Sequence, residues 1–316
     1  MKILVTPTSL NSQSNMKAIE ILKNFSHDLV FNTTGKPLSE EQLIPLIKDC
    51  DGYLAGLDAI TERVLKEASR LKIISRYGAG YDNIDMKAAH SRGIIVTNTP
   101  GANAEAVGEL AFGLILSVVR RIPALYAETK SGRWPRSTGV ELAGKTLGII
   151  GLGAIGKVVA RCAAGFSMTI CAYDPFADES YASSHHIQMC SLPQLLSQAD
   201  VISLHLPLSA STRHLINKDT ISQMKDGVIL INASRGGIIN EADVLEALKS
   251  GKVGGLGLDA FETEPPVGSP LLELDNVIAT PHTGAHTKEA SENMAQLAVA
   301  NLISVLTGKG CPYIIS

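Results

Sequence analysis

A glycine-rich turn near the middle of the chain constrains the fold more than any other feature of the sequence. An apolar run of strand type, Thr146 to Ile150, leads into Gly151-Leu-Gly-Ala-Ile-Gly, and a helical pattern follows to about Gly165. A second apolar run begins near Met168 and ends at Asp174. Strand, glycine turn, helix and strand within about thirty residues predict one βαβ unit and hence a parallel sheet.

The glycines of this turn have the spacing that lets a phosphate group approach the backbone. Gly151 permits the tight turn, Gly153 leaves room for a pyrophosphate, and Gly156 lets the helix pack closely on the strand. Free amides at the start of the helix, at Ala154 and Ile155, and the positive end of the helix dipole favour the phosphates. The turn therefore predicts a dinucleotide-binding site.

Asp174 indicates which dinucleotide this site would bind. It stands at the end of the second strand, 18 residues beyond Gly156, the last glycine of the turn. Its carboxylate can accept hydrogen bonds from both ribose hydroxyls and would repel a 2′-phosphate, which predicts NAD rather than NADP. A G-x-G-x-x-G match alone is also common in ordinary glycine turns, but here the strand, the helix and the acidic residue accompany it.

Length and composition bound the class of protein. With 316 residues the chain suits two domains rather than one compact core, and its net charge of −3 does not favour nucleic-acid binding. The first apolar run is too short for a signal peptide, and no run approaches the roughly 18 apolar residues of a membrane span. The five cysteines form no CxxC pair, as in proteins with reduced thiols. We expect a cytoplasmic protein with no nucleic-acid or membrane partner and no metal site.

The alternation of strand and helix patterns suggests where the domains divide. Short strands and helices alternate up to the break at Asn98-Thr-Pro-Gly, after which a long helix, Ala104 to about Arg121, begins. An amphipathic helix from Lys288 to Leu306 returns to the first domain. We therefore expect a substrate-binding domain of residues 1–98 plus 287–316 and an NAD-binding domain of residues 99–286.

Three groups suited to acid–base and carboxylate chemistry stand on predicted strand-end loops: Arg235, Glu264 and His282. Their local sequences, together with four other segments in order, resemble the D-isomer-specific 2-hydroxyacid dehydrogenases. The segments that carry this resemblance span essentially the whole chain: RYGAGYDNID, NTPGANAEAVGE, GLGAIG, HLPLSASTRHLI, INASRGGIIN, GLDAFETEPP and TPHTGA.

The resemblance implies two doubly wound parallel-sheet α/β domains, with a Rossmann cofactor domain inserted into a flavodoxin-like substrate domain. It also implies a homodimer formed largely through the cofactor domains. The family's catalytic residues match Arg235, Glu264 and His282. His282 would exchange a proton with the oxygen of a small 2-keto or 2-hydroxy acid, and Glu264 would fix the tautomer of that histidine. Arg235 would orient the substrate and stabilise developing negative charge.

Further positions match the family's binding segments. The backbone amides of Ala79 and Gly80 would hold the substrate carboxylate, although a plain turn is the alternative reading. On the cofactor side, the resemblance implies contacts near the nicotinamide for Asp259 and Ala233, besides Arg235 and His282, and along the adenosine half for Pro207 and Thr212. His205 is a candidate for lining the same cleft.

The substrate is the least determined part of this reading. Arg76 matches an arginine of D-3-phosphoglycerate dehydrogenases that helps to bind the phosphate end, and its alternative role is a surface or interdomain salt bridge. The chain ends near residue 316, so we expect it to lack the C-terminal regulatory domains of many phosphoglycerate dehydrogenases. A D-3-phosphoglycerate dehydrogenase-like activity is the first hypothesis, and hydroxypyruvate or glyoxylate reduction is the alternative.

Two other classes of protein share this sequence pattern in part. NAD-sensing corepressors of the same superfamily can keep the three catalytic residues, so a binding protein is a further alternative. Formate dehydrogenases fit poorly, since they have glutamine where this sequence has Glu264.

Overall fold

The computed structural model describes residues 1–11 and 15–315. The chain forms two compact units, the first made of Met1–Asn103 and His286–Ser316 and the second of Ala104–Ala285. The second unit is thus inserted into the sequence of the first. The borders expected from the sequence, at residues 98/99 and 286/287, lie within a few residues of these.

The first unit is built on a five-stranded parallel sheet with strand order β2-β1-β3-β4-β5. This order is that of flavodoxin-like folds. Its strands are β1 (Lys2–Val5), β2 (Asp28–Phe31), β3 (Gly52–Ala55), β4 (Ile73–Arg76) and β5 (Ile95–Thr97). Its helices are α1 (Met16–Phe25), α2 (Glu40–Ile47), α3 (Glu62–Glu67), α4 (Met86–Ser91) and, from the end of the chain, α12 (Lys288–Leu306).

The central strands of this unit are buried because helices cover both faces of the sheet. All residues of β3 and β4 are buried. Helix α12 packs on β3, β4 and β5, and the hydroxyl of Ser75 in β4 donates to the carbonyl of Ala298 at 2.8 Å. The last helix of the chain therefore completes the core of the first unit.

The second unit is built on a seven-stranded parallel sheet with strand order β12-β11-β10-β9-β6-β7-β8. Its strands are β6 (Thr146–Ile150), β7 (Thr169–Tyr173), β8 (Gln188–Met189), β9 (Val201–Leu204), β10 (Val228–Asn232), β11 (Val253–Leu258) and β12 (Val277–Ala279). Its helices are α5 (Ala104–Arg120), α6 (Ile122–Lys130), α7 (Ala154–Gly165), α8 (Glu179–Ser184), α9 (Leu192–Gln198), α10 (Lys218–Ser222) and α11 (Glu241–Ser250). The order of the first six strands is that of the Rossmann fold, so the predicted fold class is confirmed.

Helix α5 is mostly buried and packs against α7. A Cβ atom at Gly108 would lie 2.5 Å from Val158 Cγ1, so a glycine is needed for this close approach. In the part of the chain that the structure describes, no single helix is long and apolar enough to cross a membrane. Helices α5 and α6, bent by 63° at their break, meet that length and composition only as a pair.

The sheet of the second unit reverses its winding between β6 and β9. These neighbouring strands lead into loops that diverge from each other, and α/β sheets bind ligands in such crevices at the carboxyl ends of their strands. The predicted glycine turn follows β6, and His205 follows β9. The fold thus places both predicted cofactor segments at one point of the sheet edge.

Candidate active site

The glycine turn has the geometry that a dinucleotide site requires. Gly151 adopts φ +100, and a Cβ atom there would lie 2.7 Å from the carbonyl oxygen of His205. At Gly156 a Cβ atom would lie 2.1 Å from the carbonyl oxygen of Gly151, whereas at Gly153 it would meet nothing within 4 Å. Two glycines therefore close the turn, and the third leaves open space beside it.

The start of α7 faces this turn with amides that have no partner inside the helix. The first helical bond runs from Lys157 N to Gly153 O at 2.9 Å, so the preceding amides, those of Ala154 and Ile155 among them, are left over. Such amides bind phosphate groups at helix N-termini. The residues present fit the pyrophosphate of NAD.

Asp174 is held beside the turn by two backbone donors. Its Oδ2 accepts from Leu152 N and its Oδ1 accepts from Phe176 N, both at 2.8 Å. Each carboxylate oxygen keeps one further lone pair for a hydroxyl. A cavity of about 470 Å³, lined by Asp174, Glu179 and Gln194 among others, opens at this edge. Two carboxylates there disfavour a 2′-phosphate.

His205 and the segment after it lie on the other side of the turn. Burial lowers the pKa of His205 to about 4, so its ring is neutral near pH 7. Its Nε2 lies 2.8 Å from Ser203 Oγ, while its Nδ1 is buried without a hydrogen-bond partner among the described residues. The loop from Pro207 to Thr212 is closed by the Thr212 hydroxyl, which donates to the carbonyl of Pro207 at 2.7 Å. The structure therefore groups His205 with the glycine turn and places Thr212 in a closed, more exposed loop.

Arg235 is presented by a loop that a buried asparagine shapes. Asn232, fully buried at the end of β10, accepts from Ser234 N at 3.1 Å and donates through Nδ2 to the carbonyl of Arg235 at 2.8 Å. The guanidinium of Arg235 donates to the carbonyl of Ser234 at 2.8 Å, and Ala233 is buried beside it. Sequence reasoning missed Asn232, although an asparagine directly before a strand-end loop is a known signal for such a turn.

Glu264 and His282 form the closest polar pair of the predicted catalytic set. His282 Nδ1 lies 2.8 Å from Glu264 Oε2 and 3.0 Å from Oε1. Burial raises the pKa of Glu264, but the hydrogen bonds from His282 and Phe261 N and the nearby charges of His282 and Arg235 outweigh it and lower that pKa. An ionised Glu264 accepts from Nδ1–H, which leaves Nε2 as the ring nitrogen that can exchange a proton.

Asp259 anchors the loop that carries His282. Its buried carboxylate accepts from the Thr280 hydroxyl at 2.6 Å, from Thr283 N at 2.8 Å and from Gly284 N at 2.7 Å. His282, in the middle of this loop, adopts a left-handed φ of 50, which is unfavourable for a residue with a Cβ atom. Asp259 was predicted as a nicotinamide neighbour, and here both of its oxygens are engaged by the histidine loop.

In the first unit, Ala79 and Gly80 belong to the loop that follows β4. Gly78 N donates to the Thr99 hydroxyl and Thr99 N to the carbonyl of Gly78, both at 3.1 Å, while Asn98 Nδ2 donates to the carbonyl of Ala79 at 2.7 Å. Within residues 1–11 and 15–315, the amides of Ala79 and Gly80 have no acceptor. The loop is thus braced through its carbonyls, and its amides remain available to an anion.

Arg76, at the end of β4, is buried at 6% exposure. Its Nη1 donates to the carbonyl of Tyr77, and a Cβ atom at Gly78 would lie 3.2 Å from Nη1. The guanidinium therefore folds back over the loop that carries Ala79 and Gly80.

Comparison with known proteins agrees with this geometry. The model of the D-isomer specific 2-hydroxyacid dehydrogenase NAD binding domain matches residues 112–284. The chain is 42% identical over 313 residues to the D-3-phosphoglycerate dehydrogenase of Methanocaldococcus jannaschii, covering 98% of this chain and 58% of that enzyme. It is also 42% identical over 291 residues to the hydroxypyruvate reductase of Thermotoga maritima, covering 90% and 93%. The D-lactate dehydrogenase of Aquifex aeolicus, solved with NAD and lactic acid, superposes with a TM-score of 0.86 at 32% identity, covering 97% and 96%.

The chain therefore belongs to the D-isomer specific 2-hydroxyacid dehydrogenase family, as the sequence resemblance indicated. NAD is the cofactor of this family's binding domain, and the prediction of NAD is confirmed. The chain spans little more than half the length of the phosphoglycerate dehydrogenase it matches. These relatives differ in substrate, so family membership does not identify the acid on which this chain acts.

Proposed function

We propose that this chain is an NAD-dependent dehydrogenase that interconverts a short D-2-hydroxy acid and its 2-keto acid. The observation that carries the proposal is the Glu264–His282 contact at 2.8 Å. It stands in the same unit as a glycine turn that fits a dinucleotide and near the charge of Arg235. A histidine oriented by a carboxylate is suited to exchanging a proton with a reacting oxygen.

The roles of the residues follow from reduction of a keto acid. When bound, NADH supplies the hydride for the keto carbon. His282, with Nδ1 held by Glu264, donates the Nε2 proton to the substrate oxygen and takes it back in the reverse direction. Arg235 offers a planar set of donors to the carboxylate and the keto oxygen. The free amides of Ala79 and Gly80 are suited to the substrate carboxylate.

D-3-phosphoglycerate is the first candidate substrate, and hydroxypyruvate or glyoxylate is the second. The match with the M. jannaschii enzyme over 98% of this chain and the buried cation of Arg76 support the first. The fold of the Arg76 guanidinium onto Tyr77 O favours the second, because a side chain used as a loop brace is less free to meet a phosphate.

NADH oxidation with 3-phosphohydroxypyruvate, hydroxypyruvate, glyoxylate and pyruvate tests this proposal. We expect turnover with at least one acid, and a turnover about 10²–10⁴-fold lower in His282→Ala. If Arg76 binds a phosphate, Arg76→Ala raises KM for the phosphorylated acid alone by roughly ten- to a hundred-fold, as expected for one charge-assisted hydrogen bond. Equal losses for all acids would assign Arg76 to bracing the loop. Binding of NADH without turnover of any acid would favour an NAD-sensing binding protein instead.

We also propose that two copies associate through the second unit. Four large apolar side chains on α6 and the segment after it are exposed: Ile122 at 50%, Tyr126 at 63%, Trp134 at 85% and Val140 at 49%. No residue of α6 is buried within this chain. Such a surface is typical of an association site.

Trp134 is the only tryptophan of the sequence, so its fluorescence reports on this surface. We expect a dimer in sedimentation velocity, and a red shift of tryptophan emission on dilution as Trp134 becomes solvated. A monomer at all concentrations would refute the association.

The five cysteines are free thiols, which supports the proposal of a cytoplasmic location.

A further inference from the structure

The segment that carries Glu264 has few backbone hydrogen bonds to the rest of its unit. Residues 262–265 are exposed and belong to no helix or strand. Phe261 N donates to Glu264 Oε1 at 3.0 Å, but that bond is local. In the described part of the chain, the hydrogen bond from Glu262 N to Glu241 Oε1, at 2.7 Å, is the one that ties the backbone of residues 261–264 to another element.

The bond is reciprocal. Glu241 is the first residue of α11, and its backbone N–H donates to Glu262 Oε1 at 3.2 Å. Each glutamate therefore satisfies the main-chain donor of the other. His214 Nε2 lies 3.0 Å from Glu262 Oε1, although outside hydrogen-bond alignment.

A second contact fixes the same two stretches of chain. A Cβ atom at Gly236 would lie 1.9 Å from the carbonyl carbon of Phe261. The loop after Arg235 thus runs in backbone contact with Phe261, and the same stretch reaches Glu241 a few residues later. Two adjacent attachments, at Phe261 and at Glu262, hold the Arg235 loop and the Glu264 segment together.

We propose that Glu241 and Glu262 are positioning residues whose reciprocal main-chain hydrogen bonds hold Glu264 where it meets His282. The proposal rests on the proposed function for its kinetic consequences but not for its geometry. Burial raises the pKa of Glu241, its bond from Glu262 N opposes that shift and the charge of Glu262 adds to it. Two facing carboxylates repel each other, so this close contact needs the two hydrogen bonds that they accept from the backbone N–H groups.

Substitutions at Glu241 separate positioning from bulk stability. Glu241→Gln keeps an Oε1 acceptor for Glu262 N, whereas Glu241→Leu removes this acceptor with a side chain of similar size. We expect kcat to fall roughly ten- to a hundred-fold in Glu241→Leu, the range that misplacement of a catalytic group costs, and to stay within about three-fold in Glu241→Gln. KM for NADH should change little. Glu246→Leu is the matched control, because Glu246 lies on the same helix with its side chain 75% exposed.

The pH profile of kcat gives the second readout. If Glu264 loses its place, the profile of Glu241→Leu should approach that of Glu264→Gln. A role limited to capping α11 would lower the melting temperature and leave both the profile and kcat per folded molecule unchanged, and that result would overturn the proposal. Should Glu241→Leu fail to fold, Glu262→Ala decides instead, since it removes one of the two bonds from a partly exposed side chain. Unchanged kcat and an unchanged profile in Glu262→Ala would equally overturn it.

A readout without substrate or cofactor keeps this test apart from the proposed function. The ring ¹⁵Nδ1 resonance of His282 reports its hydrogen bond to Glu264 in the free chain. We expect this resonance to move in Glu241→Leu towards its position in Glu264→Gln and to stay unchanged in Glu246→Leu. Inactivity of the parent chain towards every keto acid would refute the proposed function, whereas an unmoved resonance would refute the positioning role.

Discussion

Replacing Asp259 by asparagine tests how the catalytic histidine is held in place. Asparagine has the shape of aspartate but offers one acceptor oxygen and one NH₂ donor. If the oxygen faces Thr280 and Thr283, the NH₂ group faces Gly284 N, which now lies 2.7 Å from Oδ2. The NH₂ group and the Gly284 N–H, both donors, would then face each other in a buried site. In the opposite rotamer, the NH₂ group would face the two donors of Thr280 and Thr283 instead.

The magnitude follows from the bonds lost. Removing one charge-assisted acceptor and leaving a buried N–H unsatisfied costs about 1.5–3 kcal/mol. The left-handed backbone of His282 stores strain of order 1 kcal/mol in the parent, and release of that strain when the loop relaxes offsets part of the cost. We therefore expect the free energy of unfolding of Asp259→Asn to fall by about 1–3 kcal/mol. We expect kcat to fall roughly ten- to a hundred-fold as the histidine loop leaves its active conformation.

Urea unfolding and steady-state reduction of the preferred keto acid measure these two quantities. Thr280→Val removes one donor of the three and should cost about 1 kcal/mol, and Asp275→Asn, at an exposed carboxylate, should cost nothing measurable. A higher KM for NADH with normal kcat and stability would assign Asp259 to the nicotinamide instead. Parent-like values for all three quantities in Asp259→Asn would refute the anchoring argument.

Three further outcomes follow from the same unit. His282→Ala should lower kcat by about 10²–10⁴-fold with NADH binding by calorimetry nearly intact, and a smaller loss would remove His282 from proton transfer. Asp174→Ala should weaken NADH binding and narrow the preference over NADPH; equal use of both cofactors by the parent would contradict the role of Asp174. Because the pKa of His205 is about 4 when folded and about 6.5 when unfolded, the unfolded chain binds the extra proton and stability falls as pH drops below about 6.5. The contribution of His205 to this loss of stability is up to about 3 kcal/mol at pH 4. In urea titrations across this pH range, His205→Gln should reduce the dependence of the unfolding free energy on pH. An unchanged dependence would show that His205 is not buried as neutral imidazole.

The parts of the fold that the sequence predicted are those with a strong local pattern. The βαβ unit at Gly151 combines an apolar strand, required glycines and an amphipathic helix, and each of these is visible without any tertiary contact. Helices α6 and α8 and strand β8 were missed for a physical reason. Helix α6 buries none of its residues within the chain and has only a weak amphipathic pattern, and β8 is a two-residue strand at the sheet edge.

The candidate site was predictable in its residue types but not in its supports. Glu264 and His282 are far apart in sequence, and their expected pairing came from a family resemblance rather than from spacing. The contacts of Asp259 with the histidine loop, and of Glu241 with Glu262, join side chains to backbone amides of distant segments. Because every residue except proline has the same backbone amide, the residue types in a sequence cannot predict these bonds.

The conformation of His282 shows why such supports are needed. Glycine would adopt the φ of 50 without strain, but glycine has no imidazole to exchange a proton. The chain must therefore keep a side chain where the backbone disfavours one, and hold that strain with interactions from elsewhere. Three hydrogen bonds to Asp259 fix the backbone around His282, and the contact with Glu264 fixes its ring. Because the backbone and the ring are held by two different residues, Asp259 and Glu264, loss of either support should leave the histidine present but wrongly oriented, which lowers kcat more than it lowers cofactor binding.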